Sequence, residues 1–147
     1  MLLVDSGAWY YGSEIDYYQA ALDDNDYLYD TWTIKSPLGQ TPVVTDLLSY
    51  DVVVWSSPSD SPEYLSAGEV VSDYMSAGGN LLLSGQDIGF WDSGASGFFW
   101  SPYYRDQLMA RYLTGASLGR KPHLMPVGKP APPRPRKPEA LTSAMIA

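Results

Sequence analysis

Two acidic residues, Asp5 and Asp87, stand beside small hydroxyl residues at points where apolar runs break off. Ser6 and Gly7 follow Asp5, Ser84-Gly85-Gln86 precede Asp87, and Ser56-Ser57 closes a run of valines between them. Two carboxylates in one crevice can divide acid and base duties, the arrangement that suffices for glycoside hydrolysis. The same residue types also make turns and caps, with aspartate accepting loop amides and serine filling tight corners. Other nucleophilic chemistry is poorly supplied. The chain has no cysteine, and its single histidine is His123. A serine triad or a multi-histidine metal centre would depend on that one residue. Ser84 has no histidine near it in sequence, and a carboxylate with a reference pKa of ~3.9 is a weak base for activating it.

Asp23-Asp24-Asn25-Asp26 has the look of a calcium loop, but the mid-loop glycine and the twelfth-position glutamate are missing. It reads as a solvated turn. No metal and no cofactor is expected. A second kind of surface is aromatic: Phe90, Trp91, Phe98, Phe99 and Trp100 interleave with glycines. Trp91, Phe99 and Trp100 are candidates for a platform that takes sugars or a partner protein, and equally for a lid folded over the core edge. Trp9, Tyr10 and Tyr11 either join that surface or pack the first helix onto a sheet.

The elements that would position these residues alternate. Met1–Asp5 reads as a strand ending at Asp-Ser-Gly. Ser13 caps a helix with Ile15, Tyr18 and Leu22 on one face. Tyr27–Ile34 is a second strand, Leu47-Leu48 a short turn, and Asp51–Ser57 a third strand apolar on both faces. Ser66-Ala67-Gly68-Glu69 fits a capping box for a helix carrying Ala67, Val70, Val71, Tyr74 and Met75, stopped by Gly78-Gly79. Asn80–Ser84 is the fourth strand, again read as buried on both faces. Ser101-Pro102 opens a last helix with a stripe of Tyr104, Leu108, Met109, Tyr112 and Leu113. This order predicts an α/β fold: an open, mainly parallel sheet of about four strands flanked by helices. Ligands of such sheets bind beyond the carboxyl ends of the strands. That edge gathers Asp5, Ser6, Ser56, Ser57, Ser84, Gly85, Gln86 and Asp87 into one candidate crevice. The phosphate-binding signatures GxGxxG and GxxxxGK[ST] are absent.

Charge divides the chain in two. Residues 1–118 carry 16 acids against Lys35, Arg105 and Arg111, a net −13, together with all 20 aromatic residues. Residues 119–147 carry six basic residues, one acid and seven of the 12 prolines. This Pro-rich basic tail has no apolar period, and its prolines block helix, so a disordered linker is expected there. The acidic part repels nucleic acid and anionic membrane, and neither is expected as its partner. Its acidity suits an extracellular or high-salt setting, and an extracellular or cell-surface location within a longer protein is expected.

Residues 1–118 as a whole resemble the class I glutamine-amidotransferase-like, flavodoxin-like domain embedded in large secreted bacterial and archaeal proteins, often beside peptidase modules. The resemblance rests on LLVDSG, YDVVVWSS, the stretch from Tyr74 through AGGNLLLSGQDIGF, and SPYYRDQLMARYL. Active members carry a nucleophilic cysteine on a sharp elbow after the strand equivalent to NLLLS, helped by a histidine and a glutamate. Here that turn is Ser84-Gly85-Gln86-Asp87, so the resemblance implies the elbow without the reaction. Gly85 would permit a backbone conformation closed to other residues, and Gln86 would at most orient a ligand. The expected function is a non-catalytic accessory or binding domain within a longer exported protein, with neighbouring domains as partners and a small molecule or glycan as ligand. The alternative is a carboxylate-dependent hydrolase using Asp5 and Asp87. Residues 1–118 also read as a domain cut from something longer, because no fifth strand follows the last helix.

Overall fold

The computed structural model describes residues 1–10 and 12–113. The chain divides into two units, Met1–Gly115 and Ala116–Ala147, and the expected disordered tail at 119–147 lies outside the described residues.

Four parallel strands form one open sheet: β1 (Leu2–Asp5), β2 (Asp30–Thr33), β3 (Val52–Ser56) and β4 (Asn80–Ser84), in the order β2-β1-β3-β4. The helices are α1 (Ile15–Asp23), α2 (Pro37–Gln40), α3 (Val44–Leu47), α4 (Gly68–Ser76), α5 (Ile88–Asp92) and α6 (Pro102–Asp106). Of these, α2 is a kinked turn, with Leu38 and Gly39 outside helical geometry. The expected α/β sheet is therefore present, and its order reverses between β1 and β3.

Register explains the core. Leu2 pairs with Val53 and Val4 with Trp55, while Val53 and Trp55 pair with Leu81 and Leu83. Alternate residues share a face, so these side chains lie together under Leu47 of α3, Val71 and Tyr74 of α4, and Tyr103 of α6. The Tyr74 hydroxyl reaches the backbone oxygens of Tyr50 (3.1 Å) and Asn80 (3.3 Å), tying α4 to the chain entering β3 and β4.

The opposite face is covered unevenly. Leu3 and Val54 are buried there, but Leu82, which pairs with Val54, is 55% exposed. The expectation that β4 is buried on both faces is thus corrected. It is an edge strand, and an apolar run alone does not distinguish an edge from a centre.

Three local readings also change. Ser66 does not cap α4; it sits at φ 58° and closes the 3-10 turn Glu63–Leu65, while α4 begins at Gly68 after Ala67. The final helix is only five residues long. Its buried side chain is Tyr103, whereas Met109 and Leu113 of the expected stripe are 83% and 77% exposed. Strand β2 is shorter than Tyr27–Ile34, since Tyr27 and Leu28 face solvent. Asp23–Asp26 does form the turn after α1, held by Asn25 Nδ2 donating to the Ala21 oxygen at 2.8 Å.

Candidate functional site

The reversal between β1 and β3 is where an open α/β sheet usually leaves a ligand crevice at its carboxyl edge. Here that crevice is filled from within. The amide of Ser6 donates to the Ser56 oxygen at 3.0 Å, and the amide of Ser57 to the Ser84 oxygen at 2.7 Å. Ser6 Oγ lies 2.8 Å from both the Ser56 oxygen and Asp60 Oδ1, and 3.0 Å from Ser57 Oγ. Trp9 Nε1 donates to Asp60 Oδ2 at 2.9 Å. Ser6, Ser56, Ser57 and Asp60 are all buried. Burial pushes the Asp60 carboxyl up from its usual range, and the hydrogen bonds from Trp9, Ser6 and Ser57 oppose that shift.

Asp5 is equally enclosed, at 2% exposure. Its Oδ1 accepts from the Gly7 amide (3.1 Å) and its Oδ2 from Ser13 Oγ (2.6 Å). Ser13 in turn accepts from the Ile15 amide at 3.2 Å, so one hydroxyl links the end of β1 to the start of α1.

The elbow is compact but unstrained. Ser84 ends β4, α5 starts at Ile88, and no residue from 84 to 87 has a positive φ. The expectation for Gly85 is corrected accordingly. A Cβ at Gly85 would lie 1.8 Å from the Ser57 oxygen, so the glycine serves close approach of two backbones and not an unusual dihedral. Gln86 is exposed, with Nε2 3.5 Å from Asp87 Oδ2.

The aromatic residues divide into two groups. Trp91 and Phe99 meet at 6.0 Å between ring centroids, and both pack on Tyr64, at 4.8 and 5.4 Å. Tyr64 also touches Trp9 (5.9 Å) and Tyr10 (6.1 Å), which pack on each other at 5.0 Å. Trp9, Tyr64 and Trp91 follow β1, β3 and β4 respectively, so this ladder crosses the carboxyl edge of the sheet. Trp100 stands apart from it and stacks instead under the Arg105 guanidinium, 5.4 Å from its ring centre.

A second buried carboxylate escaped the sequence reading. Asp92, the last residue of α5, is fully enclosed. The Ser61 hydroxyl donates to its Oδ1 and the Tyr103 hydroxyl to its Oδ2. Burial raises its pKa to about 6, with Glu63 adding repulsion and the two hydroxyls working against the rise. Burial and the Asp92 charge push the Tyr103 hydroxyl far up, which keeps it a donor. Asp60, Ser61 and Asp92 lie in segments that read as ordinary turn and loop chemistry, and no periodicity marks which of their side chains point inward.

Among the described residues, no three potential metal-binding side chains gather at one point, and no helix is long and apolar enough to cross a membrane. No protein-family model, curated protein or solved structure matches the chain.

Proposed function

We propose that residues 1–118 form a non-catalytic, amidotransferase-like binding domain of an exported, peptidase-associated multidomain protein. The observation that carries this reading is the contrast at the carboxyl edge of the sheet. Ser6, Ser57, Asp60 and Trp9 spend their polar groups on one another, and the rings from Tyr10 to Phe99, half-buried except for the exposed Tyr10, form a continuous ladder across that edge. Rings of this kind offer large contact area at low entropic cost. The acidity of residues 1–118 and the missing cysteine support the same reading.

The hydrolase alternative asks Asp5 and Asp87 to share an open cleft. Asp5 is buried, with both carboxylate oxygens accepting internal hydrogen bonds, so it is not presented to a substrate in an open cleft. The binding reading is therefore preferred.

The test is direct. The full chain, incubated with glutamine and separately with an activated ester, is expected to release ammonia and product only at the background rate. Ser84→Ala and Asp87→Asn should leave both traces unchanged. Turnover above background that either substitution removes would make the edge an active site and overturn the proposal.

A further inference from the structure

Residues 1–113 hold 16 acidic side chains and three basic ones. In such company an arginine would be expected to find a carboxylate. Arg105 does: its Nε and Nη2 donate to the two oxygens of Asp106, at 2.5 and 2.8 Å. Arg111 makes no ion pair and no side-chain hydrogen bond among the described residues, although acids outnumber bases more than five to one in residues 1–113. Both arginines line one cleft of about 410 Å³, together with Trp100, Tyr104 and Tyr112. That size falls within the ~300–1,000 Å³ of small-molecule sites.

The walls of this cleft are set by glycines. A Cβ at Gly89 would lie 2.8 Å from the Tyr104 hydroxyl and 3.0 Å from Tyr112 Cδ2, so the glycine lets both rings settle on α5 without shifting. Gly94, at φ 85°, leaves room for Trp100, whose Cδ1 would stand 3.3 Å from a Cβ there. An antiparallel bridge between Ser93 and Trp100 closes the neck of the intervening loop. Aromatic faces, hydroxyls and a free guanidinium are thereby held on one concave surface.

We propose that this cleft binds a carboxylate-bearing pyranose, a single uronic acid. The planar guanidinium of Arg111 matches a carboxylate through paired N–H bonds. Trp100, 54% exposed, gives the apolar face of a sugar ring something to lie on. The hydroxyls of Ser93 and the two tyrosines suit its hydroxylated rim. The site is separate from the aromatic ladder and stands whether or not the ladder binds anything.

D-glucuronate is to be titrated into the full chain, followed by tryptophan fluorescence and calorimetry. Glucose (the ring without the charge) and acetate (the charge without the ring) are the controls. Saturable glucuronate binding with a Kd on the order of 1 mM, at least roughly tenfold tighter than either control, is expected. Arg111→Gln should weaken it roughly tenfold and Arg111→Lys should restore only part. Arg111 is exposed, so the melting midpoint of both variants should match the parent. Absence of saturation, or equal affinity for glucose and glucuronate, overturns the proposal. So does glucuronate binding that survives both Arg111→Gln and Trp100→Ala, because the anion would then sit on the basic residues beyond 118. An acidic hexapeptide that binds tighter than glucuronate with the same Arg111 dependence would reassign the cleft to peptides.

Discussion

Asp60 and Asp92 are both buried, and both are supplied with hydroxyl donors, yet their surroundings differ. Asp60 receives an indole N–H from Trp9 in addition to the hydroxyls of Ser6 and Ser57. Asp92 has only the hydroxyls of Ser61 and Tyr103 from side chains, and Glu63 stands close enough to repel it. Desolvation is the main cause of the upward shift in both. The difference teaches that donor supply and nearby charge decide how far a buried carboxyl is driven toward its neutral form. Asp60 works as a clasp between the tips of β1 and β3. Asp92 works as a clasp that depends on pH.

Removing the Asp60 clasp should have the largest effect. Asp60→Ala leaves the Trp9 indole without its acceptor, at ~1–3 kcal/mol for a buried donor, while the Ser6 hydroxyl keeps the Ser56 oxygen and Ser57 Oγ as partners. A loss on the order of 3 kcal/mol in chemical denaturation is expected. A loss under ~1 kcal/mol would show that water replaces the carboxylate freely and that the tips are not sealed.

The pH dependence sharpens the contrast further. Asp92 has a folded pKa of about 6, above the ~3.9 of an unfolded aspartate. The native state therefore holds the extra proton between these values. The stabilisation is full below about pH 4 and is lost as pH rises through 6. Relative to Asp92→Asn, which cannot titrate, the parent should lose about 2 kcal/mol between ~pH 4 and ~pH 7. Parallel stability profiles for the two proteins would place Asp92 in contact with water. Asp60→Asn should change the slope in the same direction.

The smallest effect is expected at Tyr103. Tyr103→Phe keeps the ring by which α6 packs on the core and deletes one donor to Asp92, at a cost of about 1 kcal/mol. It should also move the Asp92 titration upward, since a bond favouring the charged form is gone. An unchanged titration, followed by the carboxyl signal in NMR, would mean that the hydroxyl does not hold Asp92.

Much of the fold was legible in the residues. The valines from 52 to 54 announce a strand buried on both faces, and Val71 and Tyr74 at helical spacing announce the covered side of α4. The clustering of Ser6, Ser56, Ser57 and Ser84 at one edge follows from strand order alone. Less was legible where pattern and environment part company. LLL in β4 has the same composition as a central strand but ends up at the rim, with Leu82 open to solvent. Ser66 has a capping sequence but is drawn into a left-handed turn by the chain that precedes it.

Chain composition by itself determined which chemistries are out of reach: no thiolate, and no histidine within residues 1–118. It also determined the parallel α/β order, because hydrophobic period and turn residues act over a few positions and need no distant partner. Only the tertiary structure decided which carboxylates are enclosed. Sequence singled out Asp5 and Asp87, whereas packing buried Asp60 and Asp92 as well and left Asp87 partly open. The reason is physical. Burying an aspartate depends on donors brought from 54 and 51 residues away to Asp60, by Ser6 and Trp9, and from 31 and 11 residues away to Asp92, by Ser61 and Tyr103. No local pattern records where those donors will converge.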